Sequence, residues 1–195
     1  MSASPDLAAL LDGPVPEVAP TLLGAVLRHG AVAVRITEVE AYAGADDPGS
    51  HAYRGRTRRN ATMFGAAGHL YCYFTYGMHV CANVVTGGEG VPGAVLLRAG
   101  EVVEGVDLVR ERRPRSSDRD LARGPARLCN ALGIGLDLDG ADLVSGPVVL
   151  EGCGASTGLV STGPRVGLRG APDRPWRFWL TGEPTVSAYR PAKPR

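Results

Sequence analysis

The sequence predicts an α+β fold: a single mixed domain on a curved antiparallel β-sheet, with a protruding β-hairpin and peripheral helices. Three observations carry that expectation. Runs rich in β-branched and aromatic residues are interrupted by glycine and pair off as hairpins. Long helical periods are few, and one charged stretch, Glu104 to Leu132, suits helix. A chain of 195 residues with 44% hydrophobic content is long enough for one core and short for two, so one domain spanning 1–195 follows, with ends frayed over about 1–4 and 190–195.

Taken in order, Ser4-Pro5 reads as a helix cap and first helical residue, giving a short helix from Pro5 to Leu11, after which Pro14, Pro16 and Pro20 punctuate the chain. The segment AVLRHGAVAVRITEVEAY reads as a hairpin turning at His29-Gly30, its second strand running from about Ala31 to Val39. HLYCYFTYGMHVCANVV reads as a second hairpin with its tip at Tyr76-Gly77-Met78, and GAVLLRAGEV as a further strand. RFWLTGEPTVSAYR closes the domain with a last strand.

Composition excludes several classes. No apolar run approaches the roughly 20 residues that span a bilayer, and the N-terminus lacks a basic segment followed by a continuous apolar one, so a cytoplasmic protein is expected, nucleoid-associated when bound to DNA. Cys72, Cys81, Cys129 and Cys153 are too widely spaced for a zinc or iron–sulfur framework; reduced structural thiols, and neither metal nor cofactor, are expected. The net charge of +1 hides an asymmetry. No acidic residue lies between Asp47 and Glu89, whereas Arg54, Arg56, Arg58, Arg59 and three histidines do. That window is a candidate phosphate-facing surface, or simply a solvated loop.

Chemistry concentrates at two places. Glu38 and Glu40, one residue apart on a strand, share a face roughly 6.5–7 Å apart, and a coupled pair of this kind can supply a general base if partly buried. On spacing alone the commoner reading is two exposed glutamates on an edge strand. Tyr71, Tyr73, Phe74 and Tyr76 crowd beside the arginines, a combination suited to holding unpaired bases. For Tyr71 and Phe74 a place in the core and its edges is the preferred reading, whereas an aromatic at a hairpin tip can act as a wedge in a base stack.

Through RITEVEAYAGADDPGSHAYRGRTRRNATMF, GHLYCYFTYGMHVCANV and VLLRA, and more thinly through GPARLCNALGI, PRVGL and RFWLTGEPTVS, the chain resembles the alkyladenine (3-methyladenine) DNA glycosylase family, the bacterial relatives of the mammalian N-methylpurine DNA glycosylase. The resemblance implies a catalytic glutamate at Glu40, with Arg98 and the backbone carbonyl of Val166 as partners of a nucleophilic water. It places Tyr42, His51 and Tyr73 around a flipped base, the histidine as a neutral donor. Asn83 matches the residue that crowds a guanine amino group, Tyr76 the residue that intercalates, and Met78 lies beside it. His79 departs from the mammalian relative, which has an aromatic there.

The implied function is a monofunctional, monomeric glycosylase that flips alkylated or deaminated purines from duplex DNA and hydrolyses the N-glycosidic bond with an activated water, with no obligate protein partner and no membrane. Neither the preferred lesion, nor a general acid, nor the role of Glu38 follows from the sequence. Two other classes stay open at this point. A nucleic-acid-binding module needs the arginines and aromatics but not Glu40, and a carbohydrate hydrolase needs both glutamates but not the arginine window.

Overall fold

The computed structural model describes residues 7–75, 77–155 and 158–193. Helices α1 (Leu7–Leu11) and α2 (Val15–Val18) and a 3-10 turn (Ala19–Leu22) come first. Pro16 and Pro20 sit in the first turn of a short helix, where a missing N–H costs nothing. The first two residues of the expected N-terminal helix, Pro5 and Asp6, lie outside the described residues. Strands β1 (Val26–His29) and β2 (Val32–Tyr42) form the first hairpin, β3 (Leu70–Thr75) and β4 (His79–Val85) the second, and β5 (Ala94–Glu104) follows. Next are α3 (Val106–Arg112), α4 (Pro125–Leu132), β6 (Val148–Glu151), β7 (Val160–Gly163) and β8 (Arg177–Leu180).

All strand pairs are antiparallel and belong to one sheet, ordered β3-β4-β5-β2-β1-β6, with β8 on the distal half of β2 and β7 on β8. The expected fold class is the observed one. Three boundaries differ from expectation for local reasons. β2 runs on to Tyr42, so both glutamates are inside it. The charged stretch gives two helices because Pro114 cannot continue the first. The last strand stops at Leu180, before Gly182 and Pro184. Strands β6 and β7 are only four residues each, too short to stand out in the sequence.

One face of the sheet packs Leu70, Cys72, Ala82, Val84, Val95, Leu97, Val39 and Ala41 against Leu128, Cys129, Ala131 and Leu132 of α4. β2 is an interior strand, and the edge-strand reading of its glutamates is overturned. Its pairing with β5 slips three times, leaving Val103 and Arg98 unpaired on β5 and Thr37 unpaired on β2. Such bulges bend a strand and re-aim side chains. Those at Thr37 and Arg98 bracket Glu38. They also bring β5 close to β2: a Cβ on Gly100 would lie 2.5 Å from the carbonyl oxygen of Arg35 and 2.4 Å from Cγ1 of Val34.

The C-terminal segment expected to fray from 190 is tied back as far as 193, because the carbonyl of Arg190 accepts the amide of Gly167 at 2.8 Å and that of Lys193 accepts Arg169 at 3.0 Å. Among the described residues no helix is long and apolar enough to cross a membrane.

Gly100→Ala should destabilise the protein by about 2 kcal/mol or more, since the clash is with backbone that cannot rotate away. Gly88→Ala, where nothing lies within 4 Å, should leave the denaturation midpoint unchanged. Urea unfolding of the two variants checks the pair.

Candidate active site

The face opposite the main core carries the polar residues in a single row. Tyr71 pairs with Asn83, Asn83 with Leu96, Leu96 with Glu40 and Glu40 with Arg177, so five strands contribute one residue each. Two residues along, Tyr73 pairs with Cys81 and Tyr42 with Ala94. Strand parity alone thus gathers residues separated by over a hundred positions in the chain.

Both glutamates are buried. Glu38 accepts from Nε of Arg177 at 2.6 Å, from the amide and hydroxyl of Ser187 at 2.7 and 3.0 Å, and pairs with Nε of Arg98 at 3.0 Å. With three donors on Oε1 and a fourth on Oε2, it is a structural carboxylate that positions Arg98, and is not free to serve as the second carboxylate of a carbohydrate hydrolase. Glu40 is held differently. Its Oε1 accepts the Val166 amide at 2.7 Å, its Oε2 accepts the Tyr42 hydroxyl at 2.9 Å, and Nε of Arg98 stands 3.6 Å away. Arg98, the bulge residue, therefore faces both carboxylates. Val166 reaches Glu40 through its N–H; the resemblance implied a role for its carbonyl.

Glu40 opens onto a groove of about 310 Å³ lined also by Tyr42, Tyr73, His79, Cys81, Arg98 and the start of α4. Next to it, sharing Tyr42 and Tyr73, is a slot of about 130 Å³ walled by His51, Tyr71, Asn83 and Met63. The His51 ring meets Tyr73 edge to face with centroids 4.5 Å apart, and its Nδ1 is 3.2 Å from the Tyr71 hydroxyl. Burial and the charge of Arg59 push the His51 pKa down, favouring the neutral ring. Burial lifts Tyr42, with help from Glu40, and pushes Tyr71 up to about 12, so both remain phenols able to donate. Asn83 is buried and donates its amide to the Tyr71 carbonyl at 2.9 Å, which fixes its orientation in the slot wall.

Behind Tyr42 lies a second buried ion pair. Arg165 grips both oxygens of Asp47, at 2.5 and 2.7 Å, and donates to the Ala41 carbonyl at 2.9 Å. Burial alone would raise the Asp47 pKa; Arg165 and the Gly49 and Ala43 amides outweigh it and hold the carboxyl below its ordinary range. The pair staples the loop after β2 to the segment that delivers Val166 to Glu40.

At the rim, Arg54, Arg56, Arg58 and Arg59 are exposed and form no ion pair among the described residues. Arg59 donates to the Phe74 carbonyl at 2.7 Å, which ties this cationic rim to the hairpin. Phe74 itself is 44% exposed, so its assignment to a core is corrected; Tyr71 is buried, but it walls the slot as well as a small satellite core. At the hairpin tip Gly77 takes a left-handed φ of 68°, and Met78 is 69% exposed. Tyr76 lies outside the described residues.

Sequence reasoning brought Glu40, Arg98, Val166, Tyr42, His51, Tyr73 and Asn83 to attention, and all adjoin the slot or the groove. It missed Asp47, Arg165, Arg177 and Ser187. Asp47 is the last acid before the arginine window and Arg165 precedes Val166 in PRVGL, but neither position advertises burial.

Comparison with known proteins bears on this geometry. The family described as methylpurine-DNA glycosylase (MPG) matches residues 9–184. A protein of Leifsonia xyli is 58% identical over 187 residues, covering 89% of this chain and 87% of its own. One of Nocardia farcinica is 56% identical over 184 residues, covering 90% and 87%. One of Streptomyces avermitilis is 51% identical over 209 residues, covering 100% and 98%. Each bears the name "Putative 3-methyladenine DNA glycosylase".

The Asp47–Arg165 pair has a pH signature. A carboxyl whose native pKa lies below its unfolded value contributes stability that is complete above the unfolded value, 3.8, and is lost as pH falls through the native one. The wild-type urea midpoint should therefore fall below about pH 4. Asp47→Asn should be less stable near neutrality by about 3 kcal/mol, because it strands a buried guanidinium, and should show a shallower acid decline.

Proposed function

We infer the reaction from family and geometry together: the chain belongs to the methylpurine-DNA glycosylase family, and it is a hydrolase that cleaves the N-glycosyl bond of alkylated purines in DNA repair. The observation that carries the mechanism is the buried Glu40 carboxylate, held by Val166, Tyr42 and Arg98 where the aromatic slot meets the groove.

The damaged nucleotide leaves the stack and its base enters the slot between Tyr42, His51 and Tyr73, with Asn83 at the edge. Extrusion costs a few kcal/mol, offset by stacking in the slot, by the phosphate contacts of Arg54, Arg56, Arg58 and Arg59, and by filling of the gap from the hairpin tip at Tyr76 and Met78. Because Tyr42 and Tyr73 belong to both cavities, the sugar of a base held there comes to rest facing Glu40. A water in the groove attacks C1′ and gives its proton to Glu40, the C1′–N bond breaks, and its electron pair leaves with the base. The carboxylate also stabilises the oxocarbenium-like sugar as charge develops, which is the logic of an inverting glycosidase applied to a nucleoside. A purine alkylated at N3 or N7 departs neutral and needs no acid. A neutral lesion such as hypoxanthine needs a proton on the base. The enzyme acts on duplex DNA as a monomer and without a cofactor.

Duplexes carrying 3-methyladenine, 7-methylguanine, hypoxanthine or ethenoadenine, with free-base release measured directly, test the function. Binding with no release of any base would leave only a binding module. Glu40→Gln keeps the side-chain shape and removes the proton acceptor, so single-turnover excision should fall by about 10²–10⁴ while lesion-duplex affinity stays within a few fold. A rate close to wild type would remove Glu40 from the base role.

A Schiff-base pathway needs an amine, and the sole lysine, Lys193, is exposed near the C-terminus. The product should therefore be an intact abasic site. Borohydride in the reaction should trap no protein–DNA adduct, and a trapped adduct would overturn the hydrolytic scheme.

A further inference from the structure

Tyr42 has two ring faces, and one is already taken by a cation. The guanidinium carbon of Arg165 lies over the Tyr42 ring at 4.7 Å from its centroid, and 5.3 Å from the centroid of Trp176. Arg165 is buried and lines neither the slot nor the groove. Any base stacked on Tyr42 must use the other face. The positive end of the Arg165–Asp47 pair is thus turned to the ring, with Asp47 gripping the guanidinium through its Nη atoms.

An unencumbered tyrosine ring attracts a cation over its face through the ring quadrupole. A ring already polarised by a guanidinium on its far side has less to offer a second cation, and the two cations repel through a thin, dry layer where screening is weak. A neutral purine loses nothing by comparison. Dispersion and apolar burial on the ring are indifferent to the charge behind it.

We propose that Arg165 is a specificity-determining residue that acts through Tyr42: stacked on the back of the slot wall and balanced by Asp47, it restrains the slot's preference for cationic alkylpurines and so extends excision to neutral lesions. The inference rests on the glycosylase reading above. Arg165 also sits beside Val166, whose amide holds Glu40, so its loss will slow every substrate through misplacement. The charge effect is separable because it changes the ratio between substrates, whereas misplacement lowers both rates together.

The experiment compares 3-methyladenine release from methylated duplex DNA with hypoxanthine release from an oligonucleotide duplex, as single-turnover kcat/KM, in the wild type and in Asp47→Asn/Arg165→Gln. The double variant keeps the net charge and a polar pair at both positions while removing the cation behind Tyr42. The ratio of cationic to neutral excision should rise about fivefold, the equivalent of a roughly 1 kcal/mol cation–π contact. If that variant does not fold, Asp47→Leu/Arg165→Met serves, because an apolar pair of similar volume also removes the cation behind Tyr42; the ratio should move in the same direction. Asp47→Asn alone exposes Tyr42 to an uncompensated cation and should move the ratio the opposite way. An unchanged ratio with both rates lowered would make the pair purely structural and overturn the proposal. A wild type that releases neither base would instead overturn the glycosylase reading on which the proposal stands.

Discussion

Three carboxylates buried in one wall of a small domain set the terms for everything around them. Glu38, Glu40 and Asp47 are all buried, and an isolated ionised carboxylate in such a place costs several kcal/mol. Arg98, Arg177 and Arg165 meet them in turn, with amides and hydroxyls from Ser187, Val166, Gly49 and Tyr42 completing the shells. The carboxylates come from 38–47 and two of the cations from beyond 160, so charge balance obliges the C-terminal segments to fold onto the far half of β2. The path over 164–193 is irregular because it follows side-chain partners and has little ladder beyond β8.

The same arrangement divides labour among similar residues. Glu38 is fully engaged and fixes Arg98; Glu40 keeps one side on the groove. The distinction arises from the register slips on either side of Glu38, which leave Arg98 out of the ladder and free to turn toward both. On an unbroken β2–β5 ladder, Arg98 would have a pairing partner and the parity that goes with it. The polar row across five strands then supplies the slot from the same face that supplies the carboxylate, so the slot and Glu40 share one floor.

Much of this was legible in the sequence. Glycine-broken runs of β-branched and aromatic residues marked both hairpins, and alternation put Tyr71 with Tyr73 and Glu38 with Glu40. What could not be read was depth. Two glutamates one residue apart look the same on an edge strand as in the middle of a sheet, and only the strand order, a property of long-range pairing, tells them apart. Resemblance singled out Glu40 over Glu38, where spacing was silent. Bulges leave almost no trace in composition, and buried arginines such as Arg165 and Arg177 look like any others in a chain with 21 basic residues. Phe74 fell on the wrong side because hydrophobicity suggested a core where the hairpin projects into solvent.

The tether of Ser187 to Glu38 has a bearing on how the protein is born. Strands β1 to β5 emerge from the ribosome well before residues 165–187, and domains begin to organise from the N-terminal side during synthesis. Until the final segment arrives, β2 and the loop after it hold three acids with one of their three cations, and closing the polar face over them is opposed by the missing partners. The wall that carries Glu40 therefore matures last, and a chain halted before residue 165 has the aromatic side chains of the slot before it has a properly held carboxylate.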